Sequence, residues 1–377
     1  MKFLDALVLA ASCVHAWPKP HSNRALYFLD SNPEGASVVS FNVHRNGALG
    51  KPQRTSTDGK GLIGMDMNGT VMMDPLFSQG SIIVNGHYLF TVNAGSNTLA
   101  AFRIPWDDPV HPVLLGRPAD TVGTAPNTVA YSRKNKLACV ANTGSKPGVQ
   151  CFTFSDCDGF KPQGNLKPLP VTGQTSPITG PPNTVSNILF NPSETALFVT
   201  IKGNGMDSGF VYAYKIENGH VDEEAIMSQP QNLPVAFGMS FVSDDSAVIS
   251  TPAYGAAFVS IAQDLTVSTT TNITIAKQMA TCWTAASADR NSVYLLDAGV
   301  PDITSLNAET KTIGRTLQGY AAGKGNFDAI VGGSKLYVLQ AAPAIAVFDL
   351  EDNSYGPKVT DLSGLGNRAT WIGMAVY

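Results

Sequence analysis

Charge is what this chain has least of. Only 14% of its 377 residues are Asp, Glu, Lys or Arg, and the net charge is −4. So sparse a basic complement builds no phosphate-binding stripe, and nucleic acid is not an expected partner. No run of 18 apolar residues occurs, so no helix is expected to span a membrane. Histidine is also scarce, at six residues, and cysteine numbers five. No CxxC pair is present and no His stands at a zinc-ligand spacing, so neither a metal nor a cofactor is expected. Glycine and proline, by contrast, are plentiful at 35 and 24. They argue against long helices and for short strands joined by turns.

The first sixteen residues read as a signal peptide. Lys2 supplies a positive start, Ala6–Val14 an apolar run, and Val14-His15-Ala16 the small residues of a cleavage site. Pro18 and Pro20 follow at once and would break a buried strand. The expected division is therefore a signal over 1–16 and one mature domain over 17–377, entering the secretory pathway and ending outside the cell. Removing Cys13 leaves Cys139, Cys151, Cys157 and Cys282, which permit three full pairings. Cys139 and Cys151 flank a hairpin-like stretch, so a bridge between them is expected over two buried free thiols. Asn68-Gly-Thr70 and Asn272-Ile-Thr274 are glycosylation sequons usable on that route.

A repeat sets the architecture. Seven copies of a short apolar strand ending in a polar residue occur, at Ala25–Asp30, Tyr88–Asn93, Lys136–Asn142, Ala196–Lys202, Ala247–Pro252, Val293–Asp297 and Lys335–Gln340. Partner strands follow, as at Leu99–Ile104, Val211–Lys215 and Ile345–Leu350. Most are also preceded by one, as at Phe77–Val84, Val185–Phe190 and Ala329–Val331. Four antiparallel strands in about 50 residues make a propeller blade. The first copy lacks an inner strand, and Trp371–Tyr377 at the far end lacks a partner. The expected fold is all-β: a seven-bladed propeller closed by pairing of the C-terminal strand with the N-terminal blade, which removes two exposed edges.

With strands lettered A to D from the channel outward, one face of the disc gathers the A starts, the B ends and the long D-to-A loops. Its B ends are Asp30, Asn93, Asn142, Lys202, Pro252, Asp297 and Gln340. Its A starts are Gln79, Asn127, Asn183, Trp283, Asn326 and Trp371, with Asp328 nearby. Such a ring suits a polar site at a channel mouth, although Asn and Asp at strand ends also serve as turn residues. Turn chemistry does not call for Lys202, which suits an acid, a base or an anchor. Two long loops cover this face, 57–78 with Met65, Met67, Met72, Met73, Asp66 and Asp74, and 167–182. The first reads equally as a lid over an apolar ligand or as a channel plug.

Phe77-Ser-Gln-Gly80, Leu89-Phe-Thr-Val-Asn-Ala-Gly-Ser-Asn97, Cys139-Val-Ala-Asn-Thr-Gly144, Gly180-Pro-Pro-Asn-Thr-Val-Ser-Asn187, Leu197-Phe-Val-Thr-Ile-Lys-Gly203 and Ala280-Thr-Cys-Trp283 carry a resemblance over almost the whole mature chain. In that order they resemble secreted fungal proteins of the lactonase-like, carboxymuconate-cyclase-like propeller family. A protein encoded in trichothecene toxin clusters is similar too. The resemblance implies a seven-bladed fold and chemistry that opens or closes lactone or oxygen rings. The family's His, Glu and Arg trio at the channel mouth has no counterpart among the ring positions, since His44, His87, His111 and His220 fall in turns or loops.

Two functions follow as expectations. As an enzyme, a monomer would bind a small oxygenated metabolite at the mouth. Lys202 with Asp297 or Asp328 would move protons, while Gln79, Asn93, Asn127, Asn142, Asn183 and Trp283 would orient it, in ring closure or lactone hydrolysis. As a secreted glycoprotein, the chain would use the same face to bind a ligand or a host partner without turnover.

Overall fold

The computed structural model describes residues 24–171, 173–352 and 356–377; the signal segment 1–16 lies outside them. The regular structure of the described chain is all strand apart from three short 3-10 turns, and turns and loops make up the rest. Seven antiparallel sheets are formed, each built from a consecutive stretch of sequence except the first. No helix among the described residues is long and apolar enough to cross a membrane.

The inner A strands of blades 2 to 7 are Ile82–Asn85, Pro126–Ser132, Val185–Phe190, Met239–Ser243, Thr281–Ser287 and Asn326–Gly332. Blade 1 takes its A strand from the other end of the chain. Trp371–Val376 lies antiparallel to the B strand Arg24–Asp30, with Asp30 opposite Trp371 and Leu26 opposite Val376. The chain thus forms a seven-bladed propeller whose ring is closed by its last strand.

Each blade is covered by a neighbour on both flat faces, so its middle strands bury alternate side chains on either side. That is why Leu137–Asn142 and Ala196–Ile201 are buried at every position. Aromatic residues fill the inter-blade wedges. Phe90 stacks on Tyr131 at 4.5 Å and meets Phe154 edge-on at 5.0 Å between blades 2 and 3. Phe28 packs on Trp371 at 5.3 Å beside the closure. Cys139 and Cys151 stand opposite each other on strands B and C of blade 3 and are joined by a disulfide. Cys157 is an exposed thiol and Cys282 a buried one.

Bulges recur where four A strands begin. The pairing with strand B skips one residue between Pro126 and Thr128, Val185 and Asn187, Thr281 and Trp283, and Asn326 and Asp328. A bulge re-aims the side chains that follow it. Here the positions beyond it turn Asn187 and Asp328 into the channel.

One expected strand differs. Of Phe77–Val84, only the part from Ile82 pairs within blade 2. Residues 74–80 instead cross the channel, and their bonding explains the difference. Gln79 N–H donates to Ser186 O of blade 4 at 2.8 Å, and Trp283 Nε1 of blade 6 donates to Ser78 O at 3.0 Å. Asn127 Nδ2 of blade 3 donates to Leu76 O at 3.2 Å. Phe77 takes a left-handed φ of 53°, and its ring fits only because Gly64 and Gly180 carry no side chain; a Cβ at either would fall within 2.7 Å of it.

Candidate functional site

The face that gathers the A starts and B ends is closed by this crossing segment. Asp74, Leu76, Phe77 and Ser78 are all buried, so the long Met-rich loop acts as a plug. Of its methionines, only Met72 packs against the core beside Leu76 and Phe77. Met65, Met67 and Met73 remain exposed on the outer surface.

Beneath the plug, an aromatic arc runs along blades 5, 6 and 7. Phe237 and Phe327 each lie 5.0 Å from Trp283. A cation caps each end. Lys202 Nζ stands 4.3 Å over Phe237, and the Arg368 guanidinium stands 5.0 Å over Phe327. Asp74 on the plug feels both charges. Burial raises the Asp74 carboxyl to about 7, opposed by Lys202. Burial also lowers Lys202 to about 7, opposed by Asp74. The geometry favours the ammonium form. Lys202 Nζ donates to Phe77 O, to Thr184 Oγ1 at 3.1 Å and to Val185 O at 3.4 Å, which uses all three hydrogens of a charged amine. Lys202 therefore secures the plug.

Several other ring residues also serve the backbone. Asp297 accepts from Met279, Ala280, Gly299 and Val300 N–H and from the Thr281 hydroxyl, at 2.8 to 3.1 Å. It organises two loops and shares no hydrogen-bond partner with Lys202. Asn93 Nδ2 donates to Thr98 Oγ1 at 3.1 Å, and Asn142 binds Thr121 Oγ1 at 2.7 Å and Gly148 O at 3.1 Å. Asn127 also donates to Val185 O at 2.7 Å. Asn183 is an exposed turn residue with φ 55°, ahead of the strand it was expected to start. Trp283 is fixed by Ser78 and belongs to the arc.

Asp328 and Gln79 face the other way. The opposite end of the channel, at the A-strand ends, opens into a cavity of about 390 Å³. Its walls mix apolar and polar side chains, with Ile82, Val129, Ile188, Ala285 and Met374 among the apolar ones. Polar groups converge at its inner end: Gln79, Asn187, Ser240, Thr284 and Asp328. Gln79 Oε1 accepts from Thr284 N–H at 2.9 Å, whereas its Nε2 has only a 3.5 Å contact to Thr284 Oγ1. Asn187 Nδ2 donates to Gln79 O at 3.0 Å, and Ser240 and Thr284 hydroxyls share a bond of 2.8 Å.

Asp328 is the chemically distinctive group. It is 3% exposed, its Oδ1 accepts from Ala329 N–H at 2.8 Å, Gly80 N–H acts on the carboxyl as a second, weaker donor, and its Oδ2 is enclosed. Burial pushes its carboxyl well above the usual range, and the Asp74 charge adds to the effect. A carboxyl biased by burial toward its protonated form therefore lies in the wall of a polar-floored cavity, with its Oδ2 enclosed by the surrounding protein.

The ring reading missed Asp74, Arg368, Asn187, Ser240 and Thr284. Asp74 was visible only as a loop carboxylate. Arg368 reaches inward from the 3-10 turn Arg368–Thr370, three residues before the strand start. The other three lie in the inner strands Val185–Phe190, Met239–Ser243 and Thr281–Ser287, each of which carries a further Ser or Thr, so composition alone did not single them out.

No characterised protein family and no curated protein matches the chain. Solved structures do. A putative 6-phosphogluconolactonase from Bacteroides fragilis superposes with TM-score 0.64 at 13% identity, covering 96% of this chain and 99% of that one. A putative 6-phosphogluconolactonase from Bacteroides uniformis gives 0.61 at 15%, covering 90% and 97%. The periplasmic gluconolactonase of Pseudomonas aeruginosa gives 0.63 at 14%, covering 90% and 95%. At these identities the likeness is one of fold.

Proposed function

We propose that this protein is an acid–base enzyme of the secretory pathway that closes an oxygen ring, or opens a lactone, on a small oxygenated metabolite. The substrate binds in the open end of the channel. One observation carries the reading: the buried Asp328 carboxyl, biased toward its protonated form, in the polar floor of a 390 Å³ cavity. Cavities of that size take drug-sized molecules. A carboxyl kept neutral by burial is matched to general-acid work.

In ring closure, a substrate hydroxyl attacks an electrophilic carbon while the C–O bond at that carbon breaks. Asp328, whose enclosed Oδ2 a small shift of the cavity floor would uncover, gives its proton to the departing oxygen, and the attacking hydroxyl's proton returns to the carboxylate. Where the departing oxygen stays attached to the substrate at its other end, as when an epoxide is opened, it ends as a new hydroxyl and the product is an isomer of equal mass. Lactone opening differs only in that water attacks, and the product gains its mass. Gln79 Nε2 orients a substrate oxygen, since most of its donor capacity is unspent.

The lining favours an uncharged substrate. It includes the carboxyls of Asp328 and Glu194 and, among the described residues, no Lys, Arg or His. The phosphorylated lactone in the names of the two Bacteroides structures would lack a counter-charge here. An apolar, hydroxylated secondary metabolite, as in the trichothecene context that the sequence resembles, fits these walls better. The disulfide and the exposed Asn68 and Asn272 sequons are consistent with secretory passage.

The test compares metabolites of the source organism with and without the gene, then adds purified protein to the deletion extract. Conversion of an accumulated precursor to an equal-mass isomer, lost in Asp328→Asn, supports ring closure; a gain of one water supports lactone opening. Matching profiles with no turnover would overturn both and favour ligand binding without chemistry.

A further inference from the structure

A second cavity, of about 270 Å³, lies at the seam between blades 7 and 1. Its polar lining is Arg24, His44, Arg45, Ser334, Lys335 and Tyr337. Arg24 opens the B strand of blade 1, and Lys335 opens the B strand Lys335–Gln340 of blade 7. His44 and Arg45 sit in a turn of blade 1 closed by Gly47 N–H to His44 O at 2.8 Å and His44 N–H to Ala48 O at 2.9 Å. That turn reaches across the seam. A Cβ on Gly47 would lie 3.2 Å from the Lys335 side chain, and one on Gly333 would lie 3.2 Å from the Arg24 guanidinium. Both cations thus pack against the neighbouring blade.

Their charges are not balanced. Lys335 pairs with Asp349 at 2.5 Å. Neither Arg24 nor Arg45 has an ion-pair or hydrogen-bond partner among the described residues. In a chain of net charge −4, two unpaired guanidiniums in one crevice stand out. Arg24 also acts on the Tyr337 hydroxyl, drawing its pKa down against the effect of burial, which places that charge beside the phenol.

We propose that this crevice is a binding site for a small dianionic oxyanion of the phosphate class. Two guanidinium forks supply paired donors, and the Ser334 and Tyr337 hydroxyls add single ones. Bound there, the anion bridges blades 1 and 7 where the ring is closed, and so stabilises the ring by mass action. The site is separate from the channel and does not depend on the reaction proposed for it.

The experiment titrates the full chain with inorganic phosphate and, in a second arm, phenyl phosphate. Both run at pH 7.5 against sodium chloride of equal ionic strength. Melting temperature and phosphorus-31 line width are the readouts. A saturable rise in melting temperature with line broadening is expected for at least one anion. Whether the free ion or the monoester binds tighter identifies the source it serves. Arg45→Gln, on an exposed turn, should weaken the midpoint about tenfold, and Arg24→Gln with Arg45→Gln should abolish it. Equal responses to phosphate and chloride, or an unchanged midpoint in Arg45→Gln, would overturn the proposal.

Discussion

Asp30 and Thr370 stand 340 positions apart and share a hydrogen bond, Thr370 Oγ1 donating to the Asp30 carboxylate. The other carboxylate oxygen accepts from Arg54 Nη1 at 2.5 Å, and Arg54 Nη2 reaches Leu365 O at 2.8 Å. Strand B, outer strand D and the C-terminal segment of the closing blade thus meet on one carboxylate. Thr370→Val should lower stability by about 1.5–3 kcal/mol, the worth of a hydrogen bond to a charged group. Urea unfolding followed by tryptophan fluorescence measures it. A loss below about 0.5 kcal/mol would show that strand pairing alone closes the ring.

Lys202 and Asp328 are separable by their effects. Lys202→Met removes three hydrogen bonds and leaves Asp74 facing Arg368 alone beneath the plug. Breaking one member of a buried charged set costs about 3–5 kcal/mol, so this variant should melt early. Asp328→Asn keeps the shape of the cavity floor and should fold normally while losing turnover. Thermal denaturation of the two side by side tests the assignment, and a stable but inactive Lys202→Met would return Lys202 to catalysis.

The repeat was legible because each B strand is buried on both faces and carries its own apolar run, as Ala196–Ile201 does. The closure was legible because Trp371–Val376 had no other partner. The site was less so, since its position depends on where residues 74–80 run. Nothing local in Asp74-Pro-Leu-Phe-Ser78 says that it crosses a channel, because its partners Ser186, Trp283 and Asn127 come from three other blades. Asp328 was picked out from its place near a strand start. Its orientation came from the bulge at Phe327, a one-residue shift that periodicity alone does not fix.

The disulfide joins residues 12 apart on adjacent strands. A loop of that size restricts the unfolded chain by about 3 kcal/mol in the chain-entropy treatment. Cys139→Ala with Cys151→Ala should therefore unfold at lower urea with an unchanged fold, checked by circular dichroism. Adding a reductant to the native protein should produce the same shift; no shift would mean that strand pairing already imposes the restriction.

Asp328 also predicts how stability varies with pH. Its carboxyl is raised in the folded protein, so the folded state holds a proton that the unfolded chain releases near pH 4. The contribution is thus fully present below about pH 4 and is lost as pH rises toward the folded value, with a slope of about 1.4 kcal/mol per pH unit. Asp328→Asn removes that slope. The difference in unfolding free energy, variant minus native, should grow in the variant's favour above pH 4, and the Asp74 and Lys202 contributions largely cancel in the comparison. Activity should fall over the same direction of pH, because the general acid must carry its proton to act. Urea unfolding of both proteins from pH 4 to pH 8 provides the measurement. A pH-independent difference would mean that Asp328 is ionised in the folded state, and the channel floor would then offer a base where we place an acid.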